Sequence, residues 1–127
     1  MTRVLLIATA GALGTVTRYL VGLWAGRVLG AGFPYGTLIV NLVGCFLIAL
    51  VSELALSTTL VSPTVRLTLT TGFMGGLTTY SSFNYETTNF LRERAVAEGL
   101  ANVALTLAGC FVAGLLGLAL GRRLAGT

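Results

Sequence analysis

The residues of this chain whose types and spacing could do chemistry gather in one stretch, GFMGGLTTYSSFNYE, from Gly72 to Glu86. Glycines at 72, 75 and 76, followed by Thr78 and Thr79, weaken a helix there. An interrupted helix frees carbonyls that can coordinate a small cation. The helix that restarts beyond the interruption offers amide N–H groups and a positive dipole end to an anion. The hydroxyls that follow are donors, and the edges of the aromatic rings are electropositive. Ser82 and Glu86 share one helix face, while Tyr80 and Phe83 form an aromatic pair on a neighbouring face. The glycines alone fit a packing groove about as well as a break. The run of hydroxyls and aromatics is what points to ion chemistry.

Further polar residues sit in apolar surroundings. Thr37 and Asn41 share a helix face, and Asn102, Thr106 and Cys110 form a sparse stripe. A polar residue inside a membrane is costly and usually faces a partner or a pathway. An amide cannot satisfy itself on its own helix as easily as a hydroxyl, so Asn41 is assigned to a pathway. For Thr106 the first reading is a hydroxyl bonded to its own helix, with pathway lining as the alternative. Arg18 admits three readings: snorkelling to the interface along its stem, a fixed positive charge at a pore mouth that concentrates anions, or a pair with Glu86.

The inventory excludes as much as it suggests. The chain has no His, Lys, Asp or Gln; its basic residues are eight arginines and its acids are Glu53, Glu86, Glu93 and Glu98. Without His or Lys the usual general bases and Schiff-base amines are missing, so an enzyme is the class least supported. Cys45 and Cys110 lack CxxC spacing and metal-ligand neighbours in the sequence, and read as small packing residues.

The elements that position these residues must be membrane spans. Of 127 residues 55% are hydrophobic and only 9% charged, against about 25% charged in a soluble domain. Four apolar segments follow: Val4 to Leu29, Gly36 to Leu60, Thr64 to Phe90 and Leu100 to Leu120. They account for residues 1–127 as a single domain. The N-terminus begins like a signal peptide, but its apolar pattern runs on too far for one and is read as a retained span. Pro34 stands just before the second span, where proline is tolerated. Short connections make neighbouring spans antiparallel. Both termini then share one side with Arg3, Arg66, Arg122 and Arg123, against Arg27, Arg92 and Arg94 on the other. Four against three is a slight bias for setting orientation. One fixed orientation and dual topology with antiparallel pairing both fit it. Gly22 with Gly26, and Gly117 with Gly121, have the spacing of close helix contacts, within one subunit or between copies. A bundle this thin hardly encloses a pore alone, which favours an oligomer.

Three blocks, GALGTVTRY, GTLIVNLVG and GFMGGLTTYSSFNYE, resemble the signatures of the Fluc fluoride channels, also called CrcB proteins. The resemblance covers essentially the whole chain. It implies an all-α integral membrane protein of four transmembrane helices, the third broken mid-membrane, assembled as an antiparallel dual-topology homodimer with two anion pores. It implies passive fluoride export that lowers cytoplasmic fluoride, across a bacterial plasma (inner) membrane that the chain crosses several times. The implied cofactor is a structural sodium ion, held by backbone carbonyls at Gly75 and Thr78 from both subunits. The implied fluoride path includes Asn41, Phe83 and position 80, with Thr37, Ser82 and Glu86 as polar lining and Arg18 as the first-helix arginine. Thr106 is the fourth-helix candidate. Position 80 departs from the family pattern: Tyr80 keeps the ring edge of the expected phenylalanine and adds a hydroxyl. The implied partners are a second copy of the chain, fluoride and the lipid bilayer, with no nucleic acid.

The alternative of similar size is a small dual-topology drug/proton antiporter. Such a transporter needs a membrane-embedded acid that exchanges protons. The first span has none, and only Glu86 could substitute. A non-transporting subunit of a larger membrane complex is a third class.

Overall fold

A computed structural model of the chain describes residues 1–126. Every regular element among them is helical. Three helices are long and apolar enough to cross a membrane: α1 (Thr2–Val28), α2 (Tyr35–Ser57) and α6 (Val96–Ala125). Between α2 and α6 the chain forms a fourth, segmented limb. It comprises α3 (Pro63–Leu67), a π-helical stretch (Thr68–Met74), α4 (Gly75–Leu77) and α5 (Tyr80–Arg92).

Three of the four expected spans coincide with long helices, most displaced at α6, which runs past the expected Leu100–Leu120 at both ends, while the expected Thr64–Phe90 span is the segmented limb. One smaller shift is informative. α2 stops at Ser57 rather than Leu60, because Thr58 turns to extended backbone while its hydroxyl accepts from the Leu60 N–H. At the start of α3 the Ser62 hydroxyl accepts from the Val65 N–H and Pro63 takes the first position, where its missing donor costs nothing. At the far end α6 closes on Gly126 in the left-handed conformation (φ 75°).

Helices α2 and α6 pair along their lengths, and α1 runs against the π-helical stretch and α4. Small residues make both contacts possible. A Cβ on Gly117 would run into the Phe46 carbonyl, and one on Gly121 would come within 2.8 Å of Glu53 Cβ. This glycine pair therefore packs within the chain, whereas the Gly26 face is open. One end of the bundle gathers Arg3, Thr58, Ser62 and Arg66 around a common cavity. At that end Arg122 Nε also lies 3.7 Å from Glu53 Oε1. Both termini are thus at one end. The other end carries an aromatic cluster in which Phe33 stacks on Phe90 and tilts against Tyr35.

The interior is thin and polar in places. Val40, Met74, Leu77 and Phe83 are buried together with Asn41, Asn102 and Thr106, while large apolar side chains such as Leu13, Trp24 and Phe111 are exposed. Exposed apolar faces on helices of this length suit a lipid surround. Several threonine hydroxyls inside the helices close back onto a carbonyl one turn earlier, as Thr17 does on Leu13 and Thr68 on Thr64, so they need no external partner.

Candidate ion pathway

The interruption of the segmented limb falls at Thr78 and Thr79, both extended (ψ 154° and 114°). The sequence places the weakness in the glycines as well, and there the structure differs. The backbone stays helical through Gly72, Gly75 and Gly76. Two of these glycines serve close approach to α1 instead. A Cβ on Gly76 would collide with the Gly11 carbonyl, and one on Gly72 would come within 2.8 Å of Ala10 Cβ.

What opens the helix is a set of substitute hydrogen bonds. In an unbroken helix the Thr79 N–H would close on the Gly75 carbonyl. Here it donates to Asn41 Oδ1 at 2.8 Å, and Asn41 Nδ2 donates to the Thr79 carbonyl at 3.1 Å. The Ser82 N–H, which would close on the Thr78 carbonyl, instead bonds the Thr79 hydroxyl at 3.1 Å, so Thr79 is the N-cap of α5. The carbonyls of Gly75 and Thr78 thereby lose their helical donors. The Gly76 carbonyl takes a different partner, Arg18 Nε at 3.1 Å. None of the three readings of Arg18 named this contact with the limb that breaks, and the pair with Glu86 does not form. Glu86 bonds Thr37 instead (Oγ1 to Oε1, 2.6 Å), and its other oxygen is shielded with no partner among the described residues.

The residues singled out from the sequence divide into two groups on either side of the break. Arg18, Thr37 and Ser82 line one cavity of about 370 Å³, and Thr37 and Glu86 line a smaller one of about 150 Å³ next to it. Asn41, Tyr80, Phe83 and Thr106 line another cavity of about 270 Å³. Thr79 borders both the first and the last. Phe83 is 6% exposed, while Tyr80 is 76% exposed with its ring centroid 5.6 Å from that of Phe83. Thr106 is buried and does not bond back to its own helix, so its hydroxyl is available to the cavity. Asn41 has one amide N–H left after serving Thr79.

Sequence reasoning did not single out Thr79 as a pivot, although Thr79 followed by Ser82 is a helix-start pattern that would have flagged it. It also left Asn102 in a weak stripe. Asn102 is 1% exposed and donates to Thr87 Oγ1, tying α6 to α5. Nor did it bring Cys45 and Cys110 together; both line the 270 Å³ cavity.

These donors, freed carbonyls and flanking cavities are the parts of an ion site. Residues 5–118 match the family described as "CrcB-like protein, Camphor Resistance (CrcB)". The chain belongs to the CrcB family. Its curated CrcB relatives include "Fluoride-specific ion channel FluC" of Sorangium cellulosum (strain So ce56), 52% identical over 93% of each chain. Proteins with the same name are 44% identical in Geobacter metallireducens, over 98% of this chain and all of the relative, and 46% identical in Anaeromyxobacter sp. (strain K), over 99% and 100%. These CrcB relatives are named as ion channels, not enzymes. With three apolar helices of spanning length, the chain is a multi-pass membrane protein.

Proposed function

We propose that this protein is a fluoride-selective channel that lets fluoride leave the cytoplasm passively across the bacterial inner membrane. The observation that carries the reading is the 52% identity, over 93% of both chains, to a protein named as a fluoride-specific ion channel. The geometry supplies the chemistry. Fluoride is small and strongly hydrated, so a path must replace its water with donors without trapping it. On one side of the break those donors are the Phe83 ring edge, the Thr106 hydroxyl and the spare Asn41 N–H. On the other they are the Ser82 hydroxyl and the Arg18 guanidinium. Glu86 donates only when protonated.

The functional unit is an antiparallel homodimer with two paths, and the segmented limb is the third of four membrane spans in each chain. Support comes from the freed carbonyls at Gly75 and Thr78, oxygen donors of the kind that hold a sodium ion in unwound membrane helices. Two carbonyls do not enclose a cation, and a twofold-related copy doubles them. Sodium, when bound there, supplies a fixed positive charge between the paths and ties the two broken limbs. The exposed surface, 7833 Å², also exceeds the roughly 6,400 Å² of a compact soluble chain of this mass, which leaves ample area for lipid and for a partner.

The deciding experiment is efflux from liposomes that contain only this protein. Fluoride should leave rapidly with no proton gradient, and chloride should not. Efflux that requires an opposing proton gradient would point to an antiporter. No fluoride movement from well-folded protein would overturn the channel.

A further inference from the structure

Cys45 on α2 and Cys110 on α6 are free thiols, and neither is fully buried. Their thiols are neighbours across the contact between the two helices. Both line the 270 Å³ cavity beside Asn41, Phe83 and Thr106. The helices that carry them are close at this level: a Cβ on Gly109 would come within 2.8 Å of Leu42 Cδ2, and one on Gly114 would lie 3.9 Å from the Cys45 carbonyl.

We propose that Cys45 and Cys110 form a two-thiol binding site for a soft monovalent cation, silver(I) or copper(I), and that filling it closes the cavity to anions. Thiol sulfur selects soft metals over the hard sodium and magnesium ions. The ligand count selects further. No group of three or more His, Cys, Asp and Glu that could hold a metal occurs among the described residues. Zinc, which takes four ligands, or three and a water, is therefore poorly served. A monovalent d10 cation is satisfied by two sulfurs. Its binding forms one thiolate–metal bond, releases one proton and uses the second thiol as a neutral donor. The filled site carries no net charge, which suits a cavity walled by Leu107 and Phe83. The cation would lie between α2 and α6 and take up space beside the Phe83 ring edge and the Thr106 hydroxyl. The closing of the cavity rests on its assignment to the fluoride path; the binding of the cation does not.

Silver nitrate in chloride-free buffer is the probe, since silver fluoride stays dissolved. Bound silver is counted per chain after gel filtration, for the wild type, Cys45→Ser and Cys110→Ser, with the alanine variants as a second pair should serine disturb folding. The wild type should retain one silver ion that each single variant loses. No retention by the wild type, or full retention by a single variant, overturns the site. In liposomes, silver should bring wild-type fluoride efflux down to the empty-vesicle background, and excess small thiol should restore it. Each single variant, compared with its own silver-free rate, should keep its efflux. Silver bound by the pair with wild-type efflux unchanged overturns the closing and moves the fluoride path out of this cavity. An absence of efflux before silver is added refutes the channel reading, and the silver count still decides the site.

Discussion

Phe83 and Asn41 line the same cavity but are held differently, so their replacements should fail differently. Phe83 gives the cavity a ring edge. Phe83→Ile keeps bulk and removes that edge. A lost donor to a charged group costs about 1.5–3 kcal/mol, and about 1.4 kcal/mol on the limiting barrier is a factor of ten. Efflux per reconstituted chain should therefore fall roughly tenfold or more while thermal stability is kept. Asn41→Ala should lower both, because it also strips the Thr79 N–H and carbonyl of their partners, at about 1–3 kcal/mol for each group left unsatisfied. Melting followed by size-exclusion elution separates the cases, and a wild-type melt for Asn41→Ala would mean that the break holds without its clamp. Tyr80→Phe keeps the ring and removes only the hydroxyl at an exposed position, and should leave efflux intact or raised. The chemical types of these residues were readable from the sequence, since an amide or a carboxylate in an apolar run needs a reason. What could not be read was the commitment of Asn41 to Thr79, 38 residues away. That depends on how α2 meets the break, which is a tertiary fact.

At the scale of elements, the apolar runs declared the three long helices, whereas the third expected span is divided into segments. The position of the break was harder, because a glycine that weakens a helix and a glycine that admits another backbone look alike in sequence. Gly76 is of the second kind, for the atom that would meet its Cβ is the carbonyl of Gly11 on α1. Gly75 is not: the nearest atom to a Cβ there is the Thr70 carbonyl, 3.9 Å away. Gly76→Ala should thus destabilise the protein by about 1–3 kcal/mol through overpacking. Gly75→Ala should be neutral or gain up to about 1 kcal/mol from helix propensity. Denaturant or thermal titration of both variants in the same detergent checks the contrast. Equal damage from Gly75→Ala would place its neighbour on a second copy of the chain. The sharp opening at Thr78 follows from competition rather than from weakness: Asn41 Oδ1 and the Thr79 hydroxyl capture the N–H groups that would have continued the helix.

For the molecule as a whole, the questions are what the freed carbonyls hold and how the chain sits in the membrane. If Gly75 and Thr78 hold sodium through their carbonyls, replacing all sodium by a bulky organic cation should lower efflux and dimer stability together. Thr78→Val, which keeps the backbone and the side-chain shape, should retain that sodium response. Unchanged efflux and elution without sodium would count against the site. Orientation is governed by the arginines in the short connections. Arg3, Arg66 and Arg122 lie at the end that holds both termini, and Arg27, Arg92 and Arg94 belong to the opposite connections. So even a distribution gives the inserting chain little reason to choose, and a protein working as an antiparallel pair needs both choices. Tags on the C-terminus should therefore be reachable from both faces of the membrane in an active preparation. Two added lysines after Pro34 should commit every chain to one orientation, and two added at the C-terminus should commit it to the other. Each variant alone should then give no fluoride efflux, because it finds no oppositely inserted partner, and co-expression of the two should restore it. A C-terminus found on one face only, in membranes that pass fluoride, would rule out antiparallel pairing and leave the four-against-three arginine count as a sufficient signal for a single orientation.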